Sequence, residues 1–577
     1  MTITAERRTR PRAGREAMVD QFAADGIRHV FGNPGTVEQG FLDAIDQHPD
    51  VEYILALQET VAVGIADGYA RATRRPAVVQ LHSGVGLGNG IGMLYQARRG
   101  HSPLVVIAGE SGVRYDAMDS QMAADLVAMA RPVTKWATRV VDPGSVLRVL
   151  RRAMKMAATP PMGPVFVALP MDVLDAPNEE AVVPTSFPVT RVAPALADVA
   201  AAADLLAGAQ RPVVVAGDGV AAAGAQAELA RVAETLGAEV WGADWSEVNL
   251  PATHPLFRGL LGHMFGDVSR AALAGADAIL VCGTYVFPEV FPMLAGAFDP
   301  GARVVHVDLD AYEIAKNFPV DLGLVSDPAP TLAMLADALA ARMDDGRRAA
   351  AAARAARIGE ATRRERDAAV ARDRAIDPGE PLRMAGFAAD LAEQLPAGAI
   401  VFDEALTSSP DLTRYVRPET PGQYFLTRGG SLGVGIPGAI GCKLAYPDRE
   451  VVGVTGDGGS MYTFQALWTA AHHGIGARFV ICNNRSYELL KLNIDEYWRE
   501  RDIPRHTFPA SFDLFPPAIQ FAELARALGV EGARVTSREQ VRPVLRRALA
   551  HDGPFLIDVV IATGNDGVRS IPGGDRA

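Results

Sequence analysis

The sequence predicts an α/β protein of three doubly wound parallel-sheet domains. Short apolar runs of strand length alternate with helical patterns along almost all of its 577 residues, the alternation that builds βαβ units and parallel sheets. A chain of that length exceeds one hydrophobic core. The alternation breaks twice: around 178–192, rich in Pro, Glu and Val, and over 347–374, rich in Ala and Arg with no clear apolar stripe. The expected organisation is a disordered basic tail over 1–16, a first domain over 17–180, a second over 190–345, a helical linker over 346–378 and a third over 379–577.

Composition excludes several classes. An apolar fraction of 49% with 7% aromatic residues describes a globular chain rather than a disordered one. The formal net charge of −12 offers no basic surface for nucleic acid. No apolar run reaches membrane-spanning length. The first residues carry five arginines between Arg7 and Arg15 but no apolar segment, so a solvated tail rather than a secretory signal is expected. Cys282, Cys442 and Cys482 sit in apolar contexts without metal or disulfide spacing, which suits a reducing cytoplasm.

In chain order, 17–25 and 38–45 read as helices flanking a strand over 27–31 and the turn Gly32-Asn33-Pro34-Gly35-Thr36. A strand over 53–56 delivers Gln58-Glu59 to a helix over 60–72. A strand over 77–82 runs into a glycine-rich loop over 83–90, and strands over 104–109 and 165–169 complete an alternation that implies a parallel sheet. Ligands of such sheets collect at the carboxyl ends of the strands, where Thr36, Glu59 and His82 all fall. The second domain reads as helices over 195–207 and 222–236 among strands over 212–216, 239–241, 278–281 and 304–307. Its Gly217-Asp218-Gly219 is like a nucleotide-binding turn without the full dinucleotide fingerprint, so a nucleotide there stays an open alternative. The third domain begins with a helix over 383–393, a strand over 399–402 and the loop 403–408. The glycine turn 429–433 follows, then a helix over 437–444.

The densest chemistry lies in GDGGSMYTFQALWTAAHHGIGARFVICNNRS, residues 456–486. A buried strand over 451–454 turns on Gly456-Asp457-Gly458-Gly459 into a helical pattern with Tyr462, Leu467 and Trp468 among its apolar positions. A second strand over 479–482 ends on Asn483-Asn484. Asp457 offers a carboxylate, Asn484 an amide oxygen, and a carbonyl just beyond completes one side of an octahedron. Mg²⁺ takes few protein ligands and completes its shell with phosphate oxygens. The glycines let backbone N–H groups approach those phosphates. Residues 488–501 and 512–515 are candidates for a cover over the site, and a helix over 541–550 with a strand over 555–560 closes the domain.

GDG and NN at this spacing, together with GNPGT, LQETVAVGIADGYARAT, LHSGVGLGN and GHSPLVVIAGE, resemble the thiamine diphosphate-dependent 2-keto acid decarboxylase and acetolactate synthase superfamily. Within it the benzoylformate decarboxylases are the nearest group. The resemblance runs from about 17 to about 558 and is tightest over 28–110 and 425–490. It implies pyrimidine-binding, central and diphosphate-binding domains. It assigns Mg²⁺ to Asp457, Asn484 and the backbone oxygen of Ser486, and sets Thr407, Gly456, Gly458, Gly459 and Ser460 against the diphosphate. The Gly430 carbonyl would accept from the cofactor's amino group, Leu432 would wedge the cofactor into its bent form, and Glu59 would bond the far ring nitrogen and promote activation. His82 matches a proton-transfer histidine, a role its side chain suits near neutral pH.

The same resemblance implies decarboxylation of a 2-keto acid through an enamine, with release of an aldehyde or carboligation to a second carbonyl. An acetolactate synthase-like carboligase is the nearest alternative, and a non-catalytic cofactor-binding paralogue a more distant one. A homodimer at least, commonly a homotetramer, goes with the family. Five residues depart from the benzoylformate decarboxylase pattern. Thr36 replaces a serine; Val290, next to Glu289, stands where a second catalytic histidine is expected; Ser120-Gln121 replace an apolar aryl pocket; Leu489 replaces a small residue. A keto acid other than benzoylformate is expected.

Overall fold

The computed structural model describes residues 12–262, 264–376 and 381–562. Among the described residues eighteen strands form three six-stranded sheets, parallel throughout. In the first unit β1 (His29–Gly32), β2 (Glu52–Leu55), β3 (Ala77–Leu81), β4 (Leu104–Glu110), β5 (Trp136–Arg139) and β6 (Val165–Pro170) lie in the order β2-β1-β3-β4-β6-β5. The central unit holds β7 (Pro212–Ala216), β8 (Glu239–Gly242), β9 (Phe257–Leu260), β10 (Ala278–Cys282), β11 (Arg303–Asp308) and β12 (Leu322–Val325), ordered β12-β11-β10-β7-β8-β9. The last unit holds β13 (Ile400–Glu404), β14 (Tyr424–Leu426), β15 (Val451–Gly456), β16 (Arg478–Asn483), β17 (Glu531–Val535) and β18 (Phe555–Val560), ordered β14-β13-β15-β16-β18-β17. First and last sheets therefore share one topology. The order in which strands are added reverses between β1 and β3 and between β13 and β15, the crevices where such sheets bind ligands.

The inner strands are buried on both faces, as parallel strands covered by helices must be. One apolar core runs without a break from Phe31 and Leu81 of the first unit to Phe402, Ile440 and Phe479 of the last. Its centre is the crossing of helix Glu59–Thr73 with helix Gly435–Ala445. Glycines make that crossing close: a Cβ on Gly441 would sit 2.0 Å from the Ile65 carbonyl oxygen, and one on Gly68 2.2 Å from that of Gly438.

Several expectations are corrected. The stretch 83–90 is not a loop; it opens helix Ser83–Arg99. Glycine is a poor helix former, but these glycines allow contact: a Cβ on Gly86 would stand 3.1 Å from the Glu59 carboxylate and one on Gly90 3.2 Å from Leu81. The expected tail ends sooner, since helix Gly14–Ala24 begins inside it and Gly14 N–H bonds the Ala176 carbonyl; residues 1–11 lie outside those described. The helix expected after Asp457 is broken into Asp457–Ser460 and Ala466–His472, and Tyr462, one of the apolar positions of that pattern, is exposed in the turn between them. The Ala/Arg-rich stretch forms one 30-residue helix, Asp345–Arg374, capped by the Asp344 side chain on the Arg347 N–H. Among the described residues no helix is long and apolar enough to cross a membrane.

Candidate active site

Two clusters of polar side chains stand at the two carboxyl-edge crevices. In the first unit Glu59 opens helix Glu59–Thr73, whose N-cap Gln58 accepts from the N–H groups of Thr60 and Val61. Its carboxylate is buried between two amides. Asn33, just past β1, donates Nδ2 to Oε1 at 3.2 Å, and Asn89 donates Nδ2 to Oε2 at 3.0 Å. No cationic side chain pairs with it among the described residues.

His82 follows β3, and Ser83 after it holds φ at +43°, the kind of backbone outlier that clusters at working sites. The ring of His82 lies against Gly35, where a Cβ would fall 1.9 Å from Nδ1. Its Nδ1 meets Glu38 Oε2 at 2.9 Å. Glu38 is buried, its other oxygen accepts from the Gly109 N–H at 3.0 Å, and burial raises its carboxyl above the usual range against the pull of His82. The Gly86 position faces both Glu59 and the Cβ of His82, so the two side chains are neighbours across one helix turn. Thr36 stands exposed in the turn before Glu38.

In the last unit Asp457 is buried at the end of β15. Its oxygens accept from the N–H groups of Gly458 (2.8 Å) and Arg485 (2.5 Å), and burial raises its carboxyl to about 6. Asn484 turns its amide oxygen onto the Ser486 N–H at 3.0 Å, and Ser486 bridges to Asp513. Arg485 and Leu406 hold positive φ at +60° and +49°. Thr407 is half-buried beside Leu406 in the short helix Leu406–Ser408. Leu432 is half-buried between Gly430 (φ +75°) and Gly433 (φ +91°), and a Cβ on Gly430 or Gly456 would touch nothing within 4 Å. Ser460 donates its hydroxyl to the Asp457 carbonyl, and a Cβ on Gly458 would strike the Tyr487 ring.

Glu404 and Glu38 were not read from the sequence. Glu404, at the end of β13, is fully buried; it accepts from the N–H groups of Gly433 and of Gly435 (2.6 Å) and from the Thr455 hydroxyl (3.1 Å), and burial raises its carboxyl to about 7. Position alone could have flagged both, since each lies by a strand end at a crevice.

The remaining pocket candidates are less connected. Ser120 points its hydroxyl at that of Ser111 at 3.5 Å, and Gln121 is exposed. Leu489 is half-buried on helix Glu488–Glu500. Val290 is exposed on a central-unit loop pinned to 264–266 by backbone hydrogen bonds, while its neighbour Glu289 turns inward onto the Ser269 hydroxyl.

Three family profiles match these three units: "Thiamine pyrophosphate enzyme, N-terminal TPP binding domain" over 12–129, the central domain over 199–335, and the C-terminal TPP binding domain over 407–559. The chain belongs to the thiamine pyrophosphate enzyme family. Among curated relatives of this thiamine pyrophosphate enzyme, a benzoylformate decarboxylase of Pseudomonas aeruginosa is 34% identical over 93% of this chain and 97% of its own. An acetolactate synthase large subunit of Parasynechococcus marenigrum is 29% identical over 97% and 90%. Among solved structures, the thiamine diphosphate-dependent 4-hydroxybenzoylformate decarboxylase of Rhodococcus jostii RHA1 superposes with a TM-score of 0.83 at 29% identity, over 96% of this chain and all of that one. The fold, the thiamine diphosphate cofactor and a decarboxylase or carboligase activity follow from these matches.

The residues fit the cofactor and a metal. Asp457 is a buried carboxylate with backbone N–H partners and no cationic side chain beside it among the described residues. Gly430 and Gly456 leave open space where any side chain would intrude. Among the described residues no group of three His, Cys, Asp or Glu is set to hold a metal, but the expected donor set of one carboxylate, one amide and one carbonyl would form no such group.

Proposed function

We propose that this chain is a thiamine diphosphate- and Mg²⁺-dependent enzyme that decarboxylates a 2-keto acid and ends in aldehyde release or carboligation. The observation that carries the reading is Glu59, a buried carboxyl with no cationic side chain beside it among the described residues, held between Asn33 and Asn89 next to the His82–Glu38 pair. Bound thiamine diphosphate supplies the nucleophilic carbon and the electron sink. Asp457, Asn484 and the Ser486 carbonyl would hold Mg²⁺, with Thr407 and the 456–460 backbone along the diphosphate. Leu432 would support the bent cofactor, and Glu59 would hold a proton at the far ring nitrogen.

Glu38, as a carboxylate, accepts Nδ1–H of His82, which leaves Nε2 as the nitrogen that exchanges a proton with substrate. Thr36 keeps the hydroxyl of the serine it replaces and would bond the substrate. The second histidine of the benzoylformate decarboxylase pattern is replaced by exposed Val290, and Glu289 is committed to Ser269. The proton steps after CO₂ loss therefore lack one positioned acid, worth ~10²–10⁴-fold in such steps, which favours capture by an acceptor carbonyl. Ser120 and Gln121 favour a smaller or more polar keto acid, because an aryl group against unpaired polar groups is costly. Each chain brings one Glu59 cluster and one Asp457 cluster, and we take the site to be completed between chains, in a dimer or a dimer of dimers. Buried free Cys282, Cys442 and Cys482 suit the cytoplasm.

A panel of 2-keto acids, with CO₂ detection and product mass analysis, tests this. CO₂ release should need both thiamine diphosphate and Mg²⁺ and should be weak with benzoylformate. Asp457→Ala should weaken metal and cofactor binding together in calorimetry. Rapid turnover of benzoylformate to free benzaldehyde would overturn the substrate reading, and no cofactor-dependent CO₂ from any keto acid would overturn the activity.

A further inference from the structure

The loop that carries Leu432 follows a backbone path that suits glycine, with Gly429, Gly430 and Gly433 at φ of +71°, +75° and +91°. Its far end is fixed within its own unit: the N–H groups of Gly433 and Gly435 bond Glu404, and the Thr463 hydroxyl bonds the Gly433 carbonyl. Its near end is fixed by another unit. Arg428, buried, sends Nη1 to Asp218 Oδ2 and Nη2 to Asp244 Oδ2, each at 2.5 Å. Both carboxylates belong to the central unit. Asp218 is itself held by the N–H of Ser246 (2.9 Å), the Ser246 hydroxyl and the Asn249 amide (2.9 Å). The Leu426 N–H, two residues before Arg428, bonds the Ser246 carbonyl at 2.7 Å.

A buried ion pair is a weak source of stability, because desolvation offsets the attraction, whereas it does fix geometry. The forked guanidinium suits that task, since two carboxylates set its position and its plane. Asp218 is the acid of the Gly217-Asp218-Gly219 turn, which the sequence leaves open to a nucleotide. Here its carboxylate is fully engaged within the chain, and the glycines of the turn pack on Gly283 and Thr284, where a Cβ on Gly219 would stand 2.5 Å from the Gly283 Cα.

We propose that Asp218 and Asp244 are positioning residues which, through Arg428, let the central unit set where the Gly430–Leu432 loop meets thiamine diphosphate. This rests on the reading that Gly430 and Leu432 contact the cofactor. The clamp sets where the loop stands, so it reads out in cofactor binding and, at saturating cofactor, in kcat.

The test is thiamine diphosphate titration by calorimetry on the full chain with Mg²⁺. Asp244→Asn is the informative variant: Asp244 holds φ at +50°, which asparagine also tolerates, so the fold is kept while the charge is lost. Asp244→Asn and Arg428→Lys should each weaken cofactor binding about tenfold. They should also lower kcat at saturating cofactor, with KM for the keto acid unchanged. Glu247→Gln, which removes a charge beside the clamp and its pair with Arg74 but none of the hydrogen bonds that make the clamp, should alter urea stability and leave cofactor affinity unchanged. Wild-type affinity in both clamp variants, whatever their stability, would overturn the proposal. Equal loss in Glu247→Gln would overturn it too, because the effect would then be general loosening. A wild type that binds no thiamine diphosphate would remove the functional reading, and this inference with it.

Discussion

Single side chains divide into those whose meaning lies in their own neighbourhood and those whose meaning lies in a distant partner. Asp457 and Asn484 belong to the first kind, since a strand–turn–helix–strand pattern places both at one sheet edge. Glu38 belongs to the second: it meets His82 across 44 residues of sequence, a contact no local pattern carries. Glu38→Ala should lower turnover about 10²-fold while cofactor binding is kept, and Glu38→Gln should recover part of the loss by accepting Nδ1–H. Equal kcat in Glu38→Ala and wild type would refute the role. Glu404 makes a pH prediction. Its carboxyl is raised from 4.5 to about 7 by burial, so the folded state binds a proton more tightly than the unfolded state. Its contribution to stability is then lost as the pH rises from about 4.5 to about 7. Chemical denaturation of the cofactor-free protein should show Glu404→Gln gaining on wild type across that window. A constant difference would contradict it.

Among the elements, the inner strands of all three sheets were legible, whereas helices Val146–Ala158 and Pro328–Arg342, the glycine-rich helix and several edge strands were not. Helix Ser83–Arg99 was hidden because Gly84, Gly86, Gly88, Gly90 and Gly92 fall on alternate positions, each costing about 1 kcal/mol against alanine in a helix. Contact with Glu59, Leu81 and Val63 outweighs that local cost. β5, β9 and β14 are three or four residues long and lie at sheet edges, too short to show a period. The crossing of helices Glu59–Thr73 and Gly435–Ala445 gives the test for this scale. Gly441→Ala places a methyl against backbone rather than against a yielding side chain. It should cost about 1–3 kcal/mol, read as a lower denaturation midpoint, whereas Gly474→Ala, at an open surface position with φ +64°, would lose stability through backbone strain alone. An unchanged midpoint in Gly441→Ala would show that the helices separate freely.

At the scale of the molecule the three-sheet plan was legible because each sheet is made from one continuous length of chain. What could not be read is how the sheets hold one another, which depends on residues such as Arg71. Its guanidinium, buried on helix Glu59–Thr73, donates to the Ser246 carbonyl and hydroxyl and to the Leu426 carbonyl at 3.0 Å, 355 residues further on. During translation at about 5–20 residues per second, this arginine emerges roughly 20 to 70 s before its last acceptor. Once β6 has completed the first sheet, that sheet presents an apolar helix face to the cell for the rest of the interval, a docking site for chaperones and a seed for aggregation. Nascent chains halted after residue 190 should therefore bind an apolar dye more strongly than the full-length protein does.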